Sequence, residues 1–309
     1  MKPAFNPRLS FLFRQRTSLY WRYGLWLLFA STLTLLVVLG QQAAQAYQVA
    51  INPGDPELGT TFSVVVQAED PASTEPPTIT LDDQQEFASF PLGNNRYRAL
   101  IPTSPLDRSG EHIVRVIGQE PTRNLTVWLR NRSFPTQRIW LPADRAGIEG
   151  TDYEFDRVGT FKQTVSPEKY WNGPLQRPSS GRVSTPYGVR RYYNGVFAED
   201  YYHRGVDYAA PTGTPVVAPA AGQVRLVGRV ADGFELHGNT IGIDHGQGVL
   251  SIFIHLSRID VQEGDFVQAG QPVGAIGSTG ASTGPHLHWG LYVNGVAVDP
   301  TQWRDQSID

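Results

Sequence analysis

Thirty-one glycines and 23 prolines, many gathered in short turn-like clusters, cut this 309-residue chain into runs too short for long helices. What lies between the clusters has the look of strands. Phe62-Ser63-Val64-Val65-Val66, Thr78-Ile79-Thr80-Leu81 and His112-Ile113-Val114-Arg115-Val116 are β-rich. In Leu125-Thr126-Val127-Trp128-Leu129 the apolar residues fall at every second position, and Gly93-Asn94-Asn95 marks a turn between runs. About seven strands over residues 47–131 predict an immunoglobulin-like β-sandwich. His112 stands alone in one of these strands and reads as structural. The absence of cysteine excludes disulfide staples, a thiol nucleophile and cysteine-ligated zinc.

Residues 1–46 differ in kind from the rest. Lys2, Arg8, Arg14, Arg16 and Arg22 precede an uncharged stretch from Tyr23 to Gly40, and no acidic residue occurs among them. Ala44-Gln45-Ala46 then offers the small residues of a signal-peptidase site. The apolar run is long for a signal core and close to the minimum for a spanning helix, so the segment is a signal peptide or an N-terminal membrane anchor. Under either reading the remaining chain is exported, to the periplasm or cell envelope. That remainder keeps 21 of the 26 basic residues and all 29 acidic ones, a net charge of −8. With no basic block left, nucleic acid is not an expected partner.

Residues 132–178 read as a connector. Pro167, Pro174 and Pro178 interrupt any long helix there, and Tyr170-Trp171 is expected to bury against the next domain.

Chemistry gathers in residues 179–309. His286 and His288 flank Leu287 at the head of an apolar alternation, so on a strand both imidazoles point to one face, as a metal site or an acid/base pair requires. Upstream, His203 and Asp207 would lie roughly 13 Å apart on a straight strand; Gly205 between them allows a bend that could bring them together. Two imidazoles and a carboxylate form a donor set that suits zinc with a fourth position left for water. His255, late in the apolar strand Leu250 to Leu256, is either a core histidine or a placed catalytic group. Asp244-His245-Gly246 looks like a turn. The valines and glycines from Val261 to Val273 repeat at hairpin spacing, as in lipoyl and biotinyl carriers. An acceptor lysine is needed for that role, however, and lysine occurs only at Lys2, Lys162 and Lys169. Gly277 to Gly284 lacks the lysine and the following helix of a phosphate loop, and reads as the rim of a cleft.

Taken in order, these pieces resemble the lysostaphin/LytM-type zinc metallopeptidases that cut peptidoglycan cross-links. The resemblance runs from about Gly181 to Trp303. It rests on Ser184 to Arg190, the HxxxD of His203 and Asp207, Asp207 to Val216, Gly238-Asn239, Asp244-His245-Gly246, His255-Leu256 and Gly277 to Trp289. It implies a mainly antiparallel β domain with a groove over a Zn2+ ion, His203, Asp207 and His288 as metal ligands, and His255 and His286 as catalytic histidines. Its implied substrates are the stem or bridge peptides of peptidoglycan. One departure stands out: the family's Tyr-Gly before the third motif is here Phe253-Ile254, which would narrow the groove. Some relatives without a full ligand set instead regulate a separate amidase; this chain retains every ligand.

Overall fold

Alternation becomes sheet where one face of each strand can be buried. The computed structural model describes residues 47–68, 75–119, 121–140 and 149–308, so the signal or anchor segment expected at 1–46 lies outside the described residues. Among the described residues no helix is long and apolar enough to cross a membrane. Up to Leu129 they form β1 (Gln48–Asn52), β2 (Thr61–Gln67), β3 (Thr78–Leu81), β4 (Gln85–Phe87), β5 (Phe90–Gly93), β6 (Arg96–Pro102), β7 (Gly110–Ile117) and β8 (Arg123–Leu129). Two four-stranded antiparallel sheets result, ordered β1-β2-β6-β5 and β4-β3-β7-β8. Phe62, Val64 and Val66 of one sheet share a core with Ile79, Val114, Val116 and Val127 of the other. The alternate residues seen in the sequence are the ones inside. Eight strands form among the described residues up to Leu129, where about seven were expected. His112 is buried, its Nδ1 2.6 Å from Asp82 Oδ2 and its Nε2 2.7 Å from the Arg108 carbonyl, a fully partnered histidine.

The described residues of the connector include β9 (Thr136–Ile139) and a helix, α1 (Asp152–Lys162). Thr151 caps that helix, its Oγ1 accepting from the Glu154 amide at 3.1 Å. Pro167, Pro174 and Pro178 all follow the helix, which spans 11 residues. Trp171 is buried as expected, edge-on to Trp303 at 5.8 Å.

Further strands are β10 (Arg182–Thr185), β11 (Arg190–Tyr193), β12 (Val196–Phe197), β13 (Val206–Ala209), β14 (Pro215–Val217), β15 (Gly222–Gly228) and β16 (Asn239–Gly246). They are followed by β17 (Val249–Ile259), β18 (Phe266–Val267), β19 (Pro272–Ile276), β20 (His286–Val293), β21 (Val296–Val298) and the closing helix α2 (Pro300–Asp305). The main sheet runs β10-β13-β20-β17-β16-β15-β18, and its neighbours along this path pair antiparallel. Asp244-His245-Gly246 is therefore no turn. These residues end β16, because the reversal needs the positive φ of Gln247 and Gly248. Nor do Val267 and Val273 form a hairpin. β18 pairs with β15, while β19 pairs with β14 and β17.

The two β regions are joined by polar contacts around a closed interface. Gln302 exchanges two 2.7 Å hydrogen bonds with the Thr61 backbone, Trp303 Nε1 donates to Thr61 Oγ1, and Asn294 Nδ2 donates to the Leu100 carbonyl at 2.7 Å. Buried Arg98 reaches Gln247 Oε1 at 2.7 Å and stacks over Trp171. Of the interface residues of the second region, Asn294, Gln302 and Trp303 lie in or after the turn that follows β20.

Candidate active site

Three adjacent strands set the site. In β13-β20-β17, Asp207 lies directly opposite His288, and His288 opposite Ile254. A cross-strand pair places its side chains about 5 Å apart on one face. His203 enters from the loop before β13. The chain bends at Gly205, where a Cβ would lie 2.4 Å from the Trp289 carbonyl oxygen and 2.8 Å from His288 Nε2, so only glycine fits. The bend turns the 13 Å of an extended strand into contact: His203 Nε2 is 3.0 Å from Asp207 Oδ1.

The cluster is tight. His288 Nδ1 stands 2.9 Å from Asp207 Oδ1 and 3.0 Å from His203 Nε2. The His203 Nδ1–H donates to the Pro186 carbonyl at 2.8 Å, so in the neutral ring Nε2 turns a lone pair toward the carboxylate. A lone pair, an anionic oxygen and a second ring nitrogen meeting at this distance are reconciled by a proton or a metal cation among them. His203, Asp207 and His288 each offer one ligand atom, all within 4.8 Å of one another. Burial alone would raise the Asp207 carboxyl, but the contacts with His203 and His288 hold it well below the usual carboxylate range. Burial pushes the His288 imidazole down to about 4 against the opposing pull of Asp207.

His255 reaches the same cleft by breaking the alternation of its strand. Phe253 is wholly buried and Ile254 lines the cleft, so strict alternation would send His255 inward. Instead His255 has φ +65°, and β17 holds one more residue than β16 across the stretch where Phe253 pairs with Ile241 and Leu256 with Asn239. This bulge returns Leu256 to the core and keeps His255 in the cleft. The His255 and His286 rings lie 4.9 Å apart, and His286 Nε2 is 3.9 Å from Asp207 Oδ1.

Both rings hang from one loop. His255 Nδ1–H donates to the Thr279 carbonyl at 2.8 Å, and His286 Nδ1–H to that of Gly284 at 2.7 Å. Each neutral ring therefore carries its lone pair on Nε2. Of the loop from Gly277 to Gly284, residues Ala281 to Gly284 line the cleft, and the loop's backbone also fixes two tautomers. Burial, with the added positive charge of His286 and His288, pushes His255 down to about 3, so it is neutral at ordinary pH.

All five side chains named from the sequence thus face one cleft of about 950 Å³. Glu154 escaped that reading. Glu154, fully buried on α1, accepts from the amides of Glu235, Leu236 and His237 and from His237 Nδ1, at 2.6 to 3.1 Å. Leu236 and His237 line the cleft, and the His237 carbonyl accepts from the His255 amide at 2.9 Å. Glu154 therefore clamps the segment on which the His255 backbone hangs. Thr151-Asp152-Tyr153-Glu154 has the T-x-x-E form of a capping box, a local signal for the helix start.

Burial opposes ionisation of Glu154, but its hydrogen bonds outweigh burial and lower its pKa from 4.5. A depressed carboxyl contributes stability above its unfolded value that is lost as pH falls through the folded one. Glu154→Gln is expected to cost about 2 kcal/mol at pH 7. The difference from wild type should shrink progressively below pH 4.5. Thermal melts of both proteins across pH 3 to 7 would check this, and a difference independent of pH would contradict it.

Residues 201–300 match the description "Peptidase family M23", and the C-terminal region is a peptidase M23 domain. Two curated relatives align over 119 residues each. The DD-carboxypeptidase/endopeptidase Mpg of Neisseria meningitidis serogroup B is 42% identical, and the peptidoglycan DD-endopeptidase ShyC of Vibrio cholerae is 38% identical. Each alignment covers 38% of this chain and 26% of the relative, so the chain spans about a quarter of their length. Over most of its length the chain is also similar to a crystal structure from Pseudomonas aeruginosa assigned to peptidase M23, with 26% identity and a TM-score of 0.59. That likeness covers 82% of this chain and 95% of the other.

Proposed function

We propose that the chain is a zinc-dependent endopeptidase that hydrolyses peptide cross-links of bacterial peptidoglycan. The observation carrying this is the convergence of His203, Asp207, His288, His255 and His286 on one cleft. Two imidazole nitrogens and a carboxylate oxygen fit zinc, and the lone pair fixed on His203 Nε2 by Pro186 is ready to bind without a proton to displace. When bound, zinc supplies Lewis acidity toward a scissile carbonyl and lowers the pKa of a water toward about 7. Asp207 neutralises charge at the centre. Nε2 of either His255 or His286 takes the proton of the attacking water, and the other ring faces the developing oxyanion. Ile254, in place of the family's glycine, narrows the floor beside His288.

The same reading assigns residues 1–46 to a signal peptide or membrane anchor and 47–131 to an immunoglobulin-like sandwich. Residues 132–178 form a connector and 179–309 the LytM-type peptidase domain. It puts the mature chain in the periplasm or envelope, with stem or bridge peptides as its partners. Purified residues 47–309 should release cross-link fragments from peptidoglycan, lose that activity to a chelator and regain it with zinc. Cleavage that survives both chelation and His288→Ala would rule the mechanism out. Stoichiometric zinc in the purified protein would separate this reading from a non-enzymatic regulator of an amidase.

A further inference from the structure

Charge in the cleft runs against charge in the chain. Beyond residue 46 the sequence has 21 basic and 29 acidic residues, yet Arg138, Lys162, Arg191 and Arg204 line the cleft against a single carboxylate, Asp207. A cleft of one sign focuses its field on anionic ligands. Two of the four cations are accounted for. Arg191 donates to the Tyr193 and Tyr201 hydroxyls and to Gln137, and Arg138 stacks on Tyr192.

Lys162 and Arg204 are different. Each rests on aromatic faces: Lys162 Nζ lies 4.9 Å from the Tyr292 ring centroid, and the Arg204 guanidinium 5.6 and 5.4 Å from those of Tyr201 and Tyr202. Ring faces hold a cation but accept none of its N–H groups in plane. Among the described residues neither side chain has a hydrogen-bond acceptor or a carboxylate partner, which leaves three donors on one and five on the other. Lys162 is also half-buried. Burial first, then the positive charge of Arg204, pushes its ammonium down to about 8. Arg204 is exposed and Lys162 partly buried, both on the same cleft, so an anion entering it meets two cations whose donors are open to it.

Their position relative to the proposed chemistry is defined. Tyr292 lies four residues along β20 from His288, roughly 13 Å, about the span of four residues of an extended peptide. Both residues are in the strand that carries the site, and their side chains line the same cleft.

We infer that Lys162 and Arg204, beside Tyr292, form a carboxylate subsite that selects peptides bearing a free carboxylate about four residues from the scissile bond. This rests on reading the cleft as a peptidase active site. The rings hold the two stems, and the substrate carboxylate completes the charge. Lys162 comes from α1 and Arg204 from the loop before β13, so the subsite joins the connector to the catalytic sheet.

The test uses the full chain and two synthetic cross-linked peptides, identical except that a terminal carboxylate of one is a carboxamide in the other. Wild type should cleave the acid with kcat/KM about tenfold higher than the amide, mainly through KM. Lys162→Met and Arg204→Met keep the aliphatic stems, so each should bring that ratio toward one with zinc content unchanged. Equal cleavage of the two peptides by wild type would overturn the subsite and leave the endopeptidase reading intact. So would a preference that survives in both variants. Calorimetric binding of the same peptides runs alongside. If neither is cleaved, the endopeptidase reading fails, and the affinities alone decide: tighter binding of the acid in wild type, lost in both variants, upholds the subsite, and equal affinities overturn it.

Discussion

Asp207→Asn is expected to purify folded, without zinc, and with cleavage of cross-linked peptides reduced to background. The substitution keeps the shape of a buried side chain and removes its negative charge. Oδ1 of Asp207 is the atom that both His203 Nε2 and His288 Nδ1 approach to about 3 Å, so the proposed ligand set is organised around it. A neutral amide is a poor zinc ligand, and it leaves two cationic charges on the metal without an anion in a buried site. Loss of an outer partner of a metal ligand typically costs about 10–100-fold in affinity, and loss of a ligand itself should cost more. Zinc content by elemental analysis and cleavage of defined muropeptides would check the two halves separately. A variant that holds zinc stoichiometrically and cleaves at the wild-type rate would remove Asp207 from the mechanism.

The second large effect concerns His255. His255→Ala and His255→Gly should each lower kcat/KM by roughly 10²- to 10⁴-fold, the usual contribution of a positioned acid or base. The two variants should differ in stability. His255 holds φ +65°, a conformation that costs a non-glycine residue about 1–3 kcal/mol, and alanine inherits that cost whereas glycine does not. The glycine variant should therefore melt higher than the alanine variant while remaining equally inactive. If it melts lower, the bulge is not strained, and the argument that backbone distortion was retained for the imidazole fails.

What could be read from the sequence followed from local periodicity. His286 and His288 were legible as a pair because the strand period is two, and the β-rich halves because their alternate residues are the buried ones. The HxxxD of His203 and Asp207 was legible as a motif with a glycine that permits a bend. The bend that makes it a site depends on the close approach of Gly205 to Trp289, a neighbour in space and not in sequence. His255 was ambiguous for a sharper reason. Alternation points it into the core, and its placement in the cleft is decided by how β17 pairs with β16. Glu154 was invisible as a functional residue. Its signal as part of a capping box is local, but the amides it holds lie 81 to 83 residues further on.

The pairing of β9 with β11 bears on how such an enzyme can be divided. β9 runs parallel to β11, and Gln137, Arg138 and Ile139 form one wall of the cleft. The family match begins at residue 201, downstream of that wall, of Pro186, which fixes the tautomer of His203, and of both Glu154 and Lys162. A fragment trimmed to the matched region would keep all five histidine and aspartate side chains and lose the groups that aim and surround them. If the proposed activity holds, the smallest fragment that carries it in full is expected to reach back at least to Thr136, well before the matched segment.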